Sequence, residues 1–247
     1  MQFCDYLAAE WRPALGCTEP GAVALCTAAA GSLLSKKPLD SIELWLSPSI
    51  YKNAFAVAIP GTDGAKGIGL AAALGFFAGD PKRKLEVLEP VNADSLRKAQ
   101  DFVAAGKVSV NLLNGQAGIY IRSTLKADSD TVEAVIERTH DNLVSLKHNG
   151  QIVERHPLLS GASADQSESE QLESFLRSRT LEQLLVLVEG MDNEDLQFIM
   201  QGVNFNVKLA EHGMVFHDGL GVGSTLERLV REGLTSRDMA MDARILT

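Results

Sequence analysis

The sequence has little cysteine: three in 247 residues, Cys4, Cys17 and Cys26. The number is odd and no two form a Cys-x-x-Cys pair, which excludes a disulfide framework and the common paired-cysteine metal and redox motifs. The five histidines show neither His-x-x-x-His nor His-Glu-x-x-His spacing, so a zinc hydrolase has no support. Basic residues are outnumbered 23 to 32 by acidic ones, the formal charge is −9, and no basic block stands out. Binding to nucleic acid or to an anionic membrane surface is therefore not expected. The most apolar runs, Gly21–Leu34 and Ile68–Ala78, are shorter than the ~20 residues that span a bilayer. Asp5 and Glu10 leave no basic-then-apolar leader at the start, so the sequence reads as cytoplasmic and soluble.

Nucleotide motifs are missing too. "PGTDGAKG" lacks the phosphate-loop order, because Gly67 follows Lys66 where a Ser or Thr would be needed. Gly219-x-Gly221-x-Gly223 precedes a helix but follows helices instead of a strand, which removes the dinucleotide-binding context and favours a capping turn.

What is present is an ordinary globular composition, 45% hydrophobic and 22% charged, enough for one large domain or two smaller ones. Residues 2–11 suit a short amphipathic helix that Pro13 and Gly16 end. Thr18 suits an N-cap, opening a nearly apolar and therefore buried helix to about Ser35. "SIELWLS" alternates like a half-buried strand and "AFAVAIP" (Ala54–Pro60) is a second candidate, joined by an irregular polar link. A glycine-rich turn then leads into a helix ending near Ala78, and Ala93–Ala105 reads as an amphipathic helix closed by Gly106.

Strands are expected at Val108–Leu113, Gly118–Lys126, Thr131–Thr139 and Leu143–Lys147, with Asn149-Gly150 turning into Gln151–Arg155. Leu158–Gln171 loses periodicity and reads as a linker or exposed loop. Helices are expected beyond it at Leu181–Glu189, Asn193–His212, Ser224–Gly233 and from Ser236. The fold class is α+β, a mixed and largely antiparallel sheet with packed helices, followed by an all-helical part. The expected domains are 1–157 and 158–247.

Cys17 lies just before a helix start, where unpaired N–H groups and the helix dipole favour thiolate, the form that attacks carbon or binds metal. The other reading is a small packed side chain, the expectation for Cys4 and Cys26. Thr18 either caps or, with the free amides of Thr18–Gly21, docks a carboxylate. Lys52-Asn53 either positions a carboxylate or is simply solvated, and His140 is either a proton carrier or a loop residue. A Cys17 nucleophile with His140 as base would make a cysteine hydrolase.

Taken in order, "PALGCTEPGAVAL", "LSPSIYKNAFAVAIPGT", "AAALGFFAGD", "AAGKVSV", "THDNLVSLKHNG" and "GVGSTLERLVREGL" resemble successive blocks of the L-cysteine desulfidase family, relatives of the iron–sulfur L-serine dehydratases. The resemblance covers essentially the whole chain. It implies a lyase that forms pyruvate and ammonia by eliminating sulfide or water from a small amino acid, with a [4Fe–4S] cluster and no pyridoxal phosphate. It implies that Cys17 is a cluster ligand. By proximity of motif it places Lys52 and His140 as catalytic, and Thr18, Glu19, Asn53, Thr62 and Asn142 at the substrate.

Members of that family continue into a Gly/Ala/Ser-rich helical region that supplies the other cysteine ligands, and Cys4 and Cys26 do not stand at ligand positions. A cluster needs three or four thiolates. The expectation is therefore no turnover by this chain alone, and either a homo-oligomer or a partner chain that carries the remaining cysteines. The alternative is a catalytically silent domain that binds an amino acid or serves regulation.

Overall fold

The structure, a computed structural model, describes Leu7 and residues 14–34, 38–159, 164–216 and 221–246. The expected helix at 2–11, apart from Leu7, and Cys4 lie outside the described residues. Two compact units divide between residues 170 and 171, with Leu7 grouped in the second.

The first unit is α+β, as expected. Its six-stranded sheet has the order β2-β1-β3-β4-β5-β6. The strands are β1 (Ser41–Leu46), β2 (Val108–Leu112), β3 (Tyr120–Ala127), β4 (Asp130–Glu137), β5 (Leu143–His148) and β6 (Gln151–Ile152). Only the β1–β2 pair is parallel. That crossover needs helices between the two strands, and the chain supplies three. Asn149 and Gly150 both take positive φ, 51° and 78°, as a two-residue hairpin turn requires.

Alternation decides which face of the sheet is covered. Ile42, Leu44 and Leu46 of β1 are buried while Glu43 and Trp45 point to the other, half-buried face. Over the buried face lie α1 (Thr18–Gly31) and α3 (Ile68–Phe77), with α4 (Ala93–Ala104) packed on α3. α1 is buried from Pro20 to Ala30. Its alanines let α3 approach so closely that a Cβ on Gly75 would sit 2.3 Å from the Ala24 carbonyl oxygen. The helix ends at Gly31, short of Ser35. The Ser32 amide caps the Ala28 carbonyl, and Leu33 and Leu34 tighten into i→i+3 bonds.

Two sequence expectations fail here. Pro48–Ala54 is a helix, α2, not an irregular link, because Pro48 follows extended Ser47 and is pre-set for the first helical turn. Ile50 and Ala54, four residues apart, are its buried positions. Ala54–Pro60 is not a strand: it closes α2 and makes a single bridge, Ala58 to Lys66. Phe55, Val57 and Ile59 alternate with alanine as in a strand, but Ala54 is taken up by α2, Phe55 is 61% exposed, and the Ala58 bridge does not extend into a ladder.

The supposed linker is also partly helical, since α5 spans Ala164–Arg177. The second unit adds α6 (Leu181–Glu189), α7 (Asn193–Phe216), α8 (Val222–Arg231) and α9 (Met239–Leu246). Gly221 takes φ 73° at the start of α8, and a Cβ on Gly223 would lie 2.2 Å from the Ile245 carbonyl oxygen. These glycines shape a helix start and let α8 approach α9, in keeping with the capping-turn reading. No helix among the described residues is long and apolar enough to cross a membrane.

Candidate functional site

Helical geometry begins at Thr18, so Cys17, not Thr18, is the N-cap residue of α1; its backbone is extended and its side chain makes no cap bond. Pro20 falls in the first turn, where a missing N–H costs nothing because those amides have no intrahelical partner. The turn before it is set by Gly16, whose Cβ position is 3.4 Å from Pro60 Cγ. The Pro60–Thr62 segment thus lies against the Gly16–Cys17 segment, a packing relation that no motif announces.

The centre of the site is Glu19. Its Oε2 accepts a hydrogen bond from the Cys17 thiol at 2.8 Å and a longer one from the Thr18 hydroxyl at 3.4 Å. Its Oε1 accepts from Asn53 Nδ2 at 3.0 Å and faces His140 Nε2 at 3.8 Å. The Glu19 side chain is 14% exposed and that of His140 27%, so the carboxylate is shielded from bulk water but not sealed. Residues from three distant segments meet at one carboxylate.

Each segment is held by its own local bonds. The start of α2 is tied to β3: the Ser47 amide donates to the Tyr120 carbonyl at 3.0 Å and the Ser49 hydroxyl to the Gly118 carbonyl at 2.8 Å. His140 stands in the β4–β5 turn, which Asn142 closes by donating from Nδ2 to the Glu137 carbonyl at 2.9 Å. The register of β4 against β5 shifts at Val135/Ile136, just before that turn.

Electrostatics reverse one expectation. Burial pushes the Cys17 thiol up, and donation to Glu19 pushes it further. The backbone amides of Glu19 and Thr18 do pull it down, as a helix start should, but they are outweighed. Cys17 is a thiol held protonated by a neighbouring carboxylate. For Glu19, burial would raise the carboxyl, but hydrogen bonds from Cys17 and Asn53 and from its own backbone amide, with His140 beside it, hold it below the usual carboxylate range.

The remaining candidates are placed less centrally. Lys52 is exposed on α2, one residue before Asn53. Thr62 is buried and donates its hydroxyl to the Ile59 carbonyl at 2.6 Å, holding a turn. Asn142 supports the loop that carries His140. The cysteine–histidine pair of a hydrolase is not formed, since Cys17 and His140 address different oxygens of Glu19.

The fit to a [4Fe–4S] cluster fails on the donor set. Cys26 is fully buried, donates to the carbonyls of Ala134 at 3.3 Å and Ile121 at 3.6 Å, and has its thiol pushed up to about 12 by burial. That leaves Cys17 as a single candidate thiolate among the described residues, where a cluster takes three or four. No group of three His, Cys, Asp or Glu among the described residues is placed to hold a metal ion.

Comparison with known proteins gives a clear relative. A UPF0597 protein of Desulfatibacillum aliphaticivorans is 44% identical over 244 residues, 98% of this chain and 56% of its own length. This chain is homologous to the UPF0597 proteins. The UPF0597 protein of Desulforapulum autotrophicum is 43% identical over 98% of the chain and 55% of its own length. That of Clostridioides difficile is 34% identical, again over 98% of the chain and 56% of its own length. The chain thus spans a little over half the length of these UPF0597 relatives. No protein-family model matches it. No solved structure matches it either.

Proposed function

We propose that the chain is part of a cytoplasmic amino-acid lyase of the L-cysteine desulfidase and iron–sulfur L-serine dehydratase kind, and that the Glu19 corner is where it meets its substrate. The observation that carries this reading is the meeting of Cys17, Glu19, Asn53 and His140 at one shielded carboxylate. All four belong to the motifs on which the resemblance rests, yet 123 positions separate the first and last.

The chemistry of these groups suits an elimination. A carboxylate held ionised can bind an α-ammonium group, and the histidine beside it can take or return a proton. Asn53 fixes the carboxylate in orientation. Lys52, next along α2, offers a positive charge to a substrate carboxylate. Thr62 and Asn142 act in this reading as supports of the turn beside Gly16 and of the His140 loop. The three cysteines of the sequence do not complete a cluster, so the proposal assigns the remaining thiolates to further polypeptide of the kind that the longer relatives carry.

Calorimetric titration of the chain with L-cysteine and L-serine tests the substrate site. Binding weakened about tenfold or more by Glu19→Gln supports it, in line with the loss of a charge-assisted contact. Equal affinity in parent and variant sinks it.

A second reading has its own support. The raised Cys17 thiol and the single-thiol donor set favour a silent amino-acid-binding or regulatory domain. Anaerobic loading with iron and sulfide, in the presence of the relatives' remaining polypeptide, separates the two. A visible charge-transfer band that disappears in Cys17→Ser, together with pyruvate formation, marks the lyase. Amino-acid binding without either marks the silent domain.

A further inference from the structure

The second unit has almost no interior. Its buried large apolar side chains, among the described residues, are Leu7, Leu172, Met241 and Ile245. α7 is the extreme case. From Leu196 to Met214 its only Asp, Glu, Lys or Arg residues are Lys208 and Glu211. Leu196, Met200, Val203 and Val207 follow the 4-3-4 spacing of a helix seam, and Phe205, Leu209 and Phe216 form a second row two residues out of step. Two residues turn an α-helix by about 200°, so the rows lie on opposite sides. Both are exposed: Met200 at 51% and Leu196 at 46% on one side, Phe205 at 69% and Leu209 at 66% on the other.

A helix apolar on opposite sides is an interior helix. A membrane does not account for it, because α7 does not qualify as a spanning segment. A two-fold pairing of α7 with a second copy would cover one row and leave the other in water. The relatives point to a different occupant. Their match runs over 98% of this chain, this region included, yet accounts for only 55–56% of their own length. Proteins of this kind therefore hold a large amount of further polypeptide able to lie against both rows.

We propose that α7 is the central helix of a larger helical layer, covered on both faces by polypeptide equivalent to the unmatched remainder of the UPF0597 relatives. The inference stands apart from the lyase reading: it concerns packing, and no reaction need occur for it to hold.

The test is co-expression of this chain with the tagged unmatched remainder of the Desulfatibacillum aliphaticivorans protein, followed by size-exclusion chromatography with light scattering and hydrogen exchange. A one-to-one complex is expected, with amide exchange across Leu196–Phe216 slowed at least tenfold. Leu209→Asp on one row and Met200→Asp on the other should each weaken the complex on the order of a hundredfold, as central apolar anchors do. Both residues are exposed in the chain alone, so its circular dichroism should not change. The proposal is overturned if no complex forms while the chain alone is monomeric with α7 already protected. It is also overturned if the same substitutions instead dissolve a homodimer, which makes a second copy the occupant.

Discussion

Replacing Gly75 by alanine should destabilise the α+β unit by about 2 kcal/mol. The new Cβ would lie 2.3 Å from the Ala24 carbonyl oxygen, 2.8 Å from its Cα and 2.9 Å from its carbonyl carbon, where ordinary contact begins near 3.4 Å. All three obstacles are backbone, so no rotamer change relieves them, and α1 has to retreat by about 1 Å, 3.4 less 2.3. It has nowhere to go, since its other side packs on β3 and β4 and Ala22–Ala30 are all buried. Overpacking of this kind costs about 1–3 kcal/mol, and a rigid obstacle puts it at the upper end. Alanine's better helix propensity returns about 1 kcal/mol.

Gly69→Ala on the same helix is the control. Its Cβ would meet Val108 Cγ1 at 3.4 Å, an ordinary contact, so only the propensity gain of up to about 1 kcal/mol remains. Urea titration followed by Trp45 fluorescence in a Trp11→Phe background reports this unit. With a slope of ~2 kcal/mol per molar, Gly75→Ala should lower the midpoint by about 1 M while Gly69→Ala holds or raises it. Equal midpoints for Gly75→Ala and the parent, or equal losses for both variants, would refute the close-crossing argument.

Three further outcomes are expected. Parent Cys17 should react with iodoacetamide more slowly than free cysteine, and Glu19→Gln should speed it several-fold by removing the carboxylate that holds the thiol proton; a slower variant contradicts the assigned bond. Because the Glu19 carboxyl is held below its unfolded value, its contribution is full above the ordinary carboxylate range and is lost as pH falls through the folded value. Glu19→Gln should therefore show a shallower acid limb in stability against pH, and identical limbs would count against it. Thr27 bonds the Val23 carbonyl and the Ser123 hydroxyl, each at 3.0 Å, inside the core. Thr27→Val should cost about 1–2 kcal/mol by leaving Ser123 without that partner, and adding Ser123→Ala should recover part of the loss in thermal unfolding.

Periodicity in the sequence was enough for the elements whose burial is one-sided. β1, β3, β4 and β5 and helices α1 and α4 stand where alternation or helical spacing puts them, because each buries one face or lies wholly inside; α6 buries none of its residues, and its ends are marked instead by the Thr180–Gln183 capping box and by Gly190. Ala54–Pro60 has strand-forming Phe55, Val57 and Ile59 in alternation, but pairing is a tertiary matter, and the run finds a single bridge instead of a ladder. Leu158–Gln171 misled because Ser and Glu suit both a loop and the first turns of α5. At the site, motif order brought Cys17, Glu19, Asn53 and His140 forward. It carried no information on which of them holds the others, or that Thr62 spends its hydroxyl on a turn. Those facts come from tertiary approach, and so does the sign of the Cys17 shift. The helix start does lower the Cys17 thiol, but the loss of water and a carboxylate two residues away outweigh it.

The corner around Glu19 also depends on unequal supports. Asn53 is fixed through Ser47 and Ser49 to the start of β3, and His140 through the β4–β5 turn to the same sheet, so these two move together with the strands. Glu19 rides on α1, which is held by its packing on α3, β3 and β4 and by side-chain bonds of Cys26 and Thr27 instead of by backbone hydrogen bonds to the sheet. A small slide of α1 would therefore change the distances from Glu19 to Asn53 and His140 while leaving Cys17 and Glu19, which share the helix start, in register with each other. The thiol–carboxylate pair is a local property of the Gly-Cys-Thr-Glu-Pro turn, and its assembly with amide and imidazole is a property of helix packing. Substitutions that move α1 should accordingly disturb the proposed amino-acid binding before they disturb Cys17 reactivity, because the first needs all three supports and the second needs only the turn.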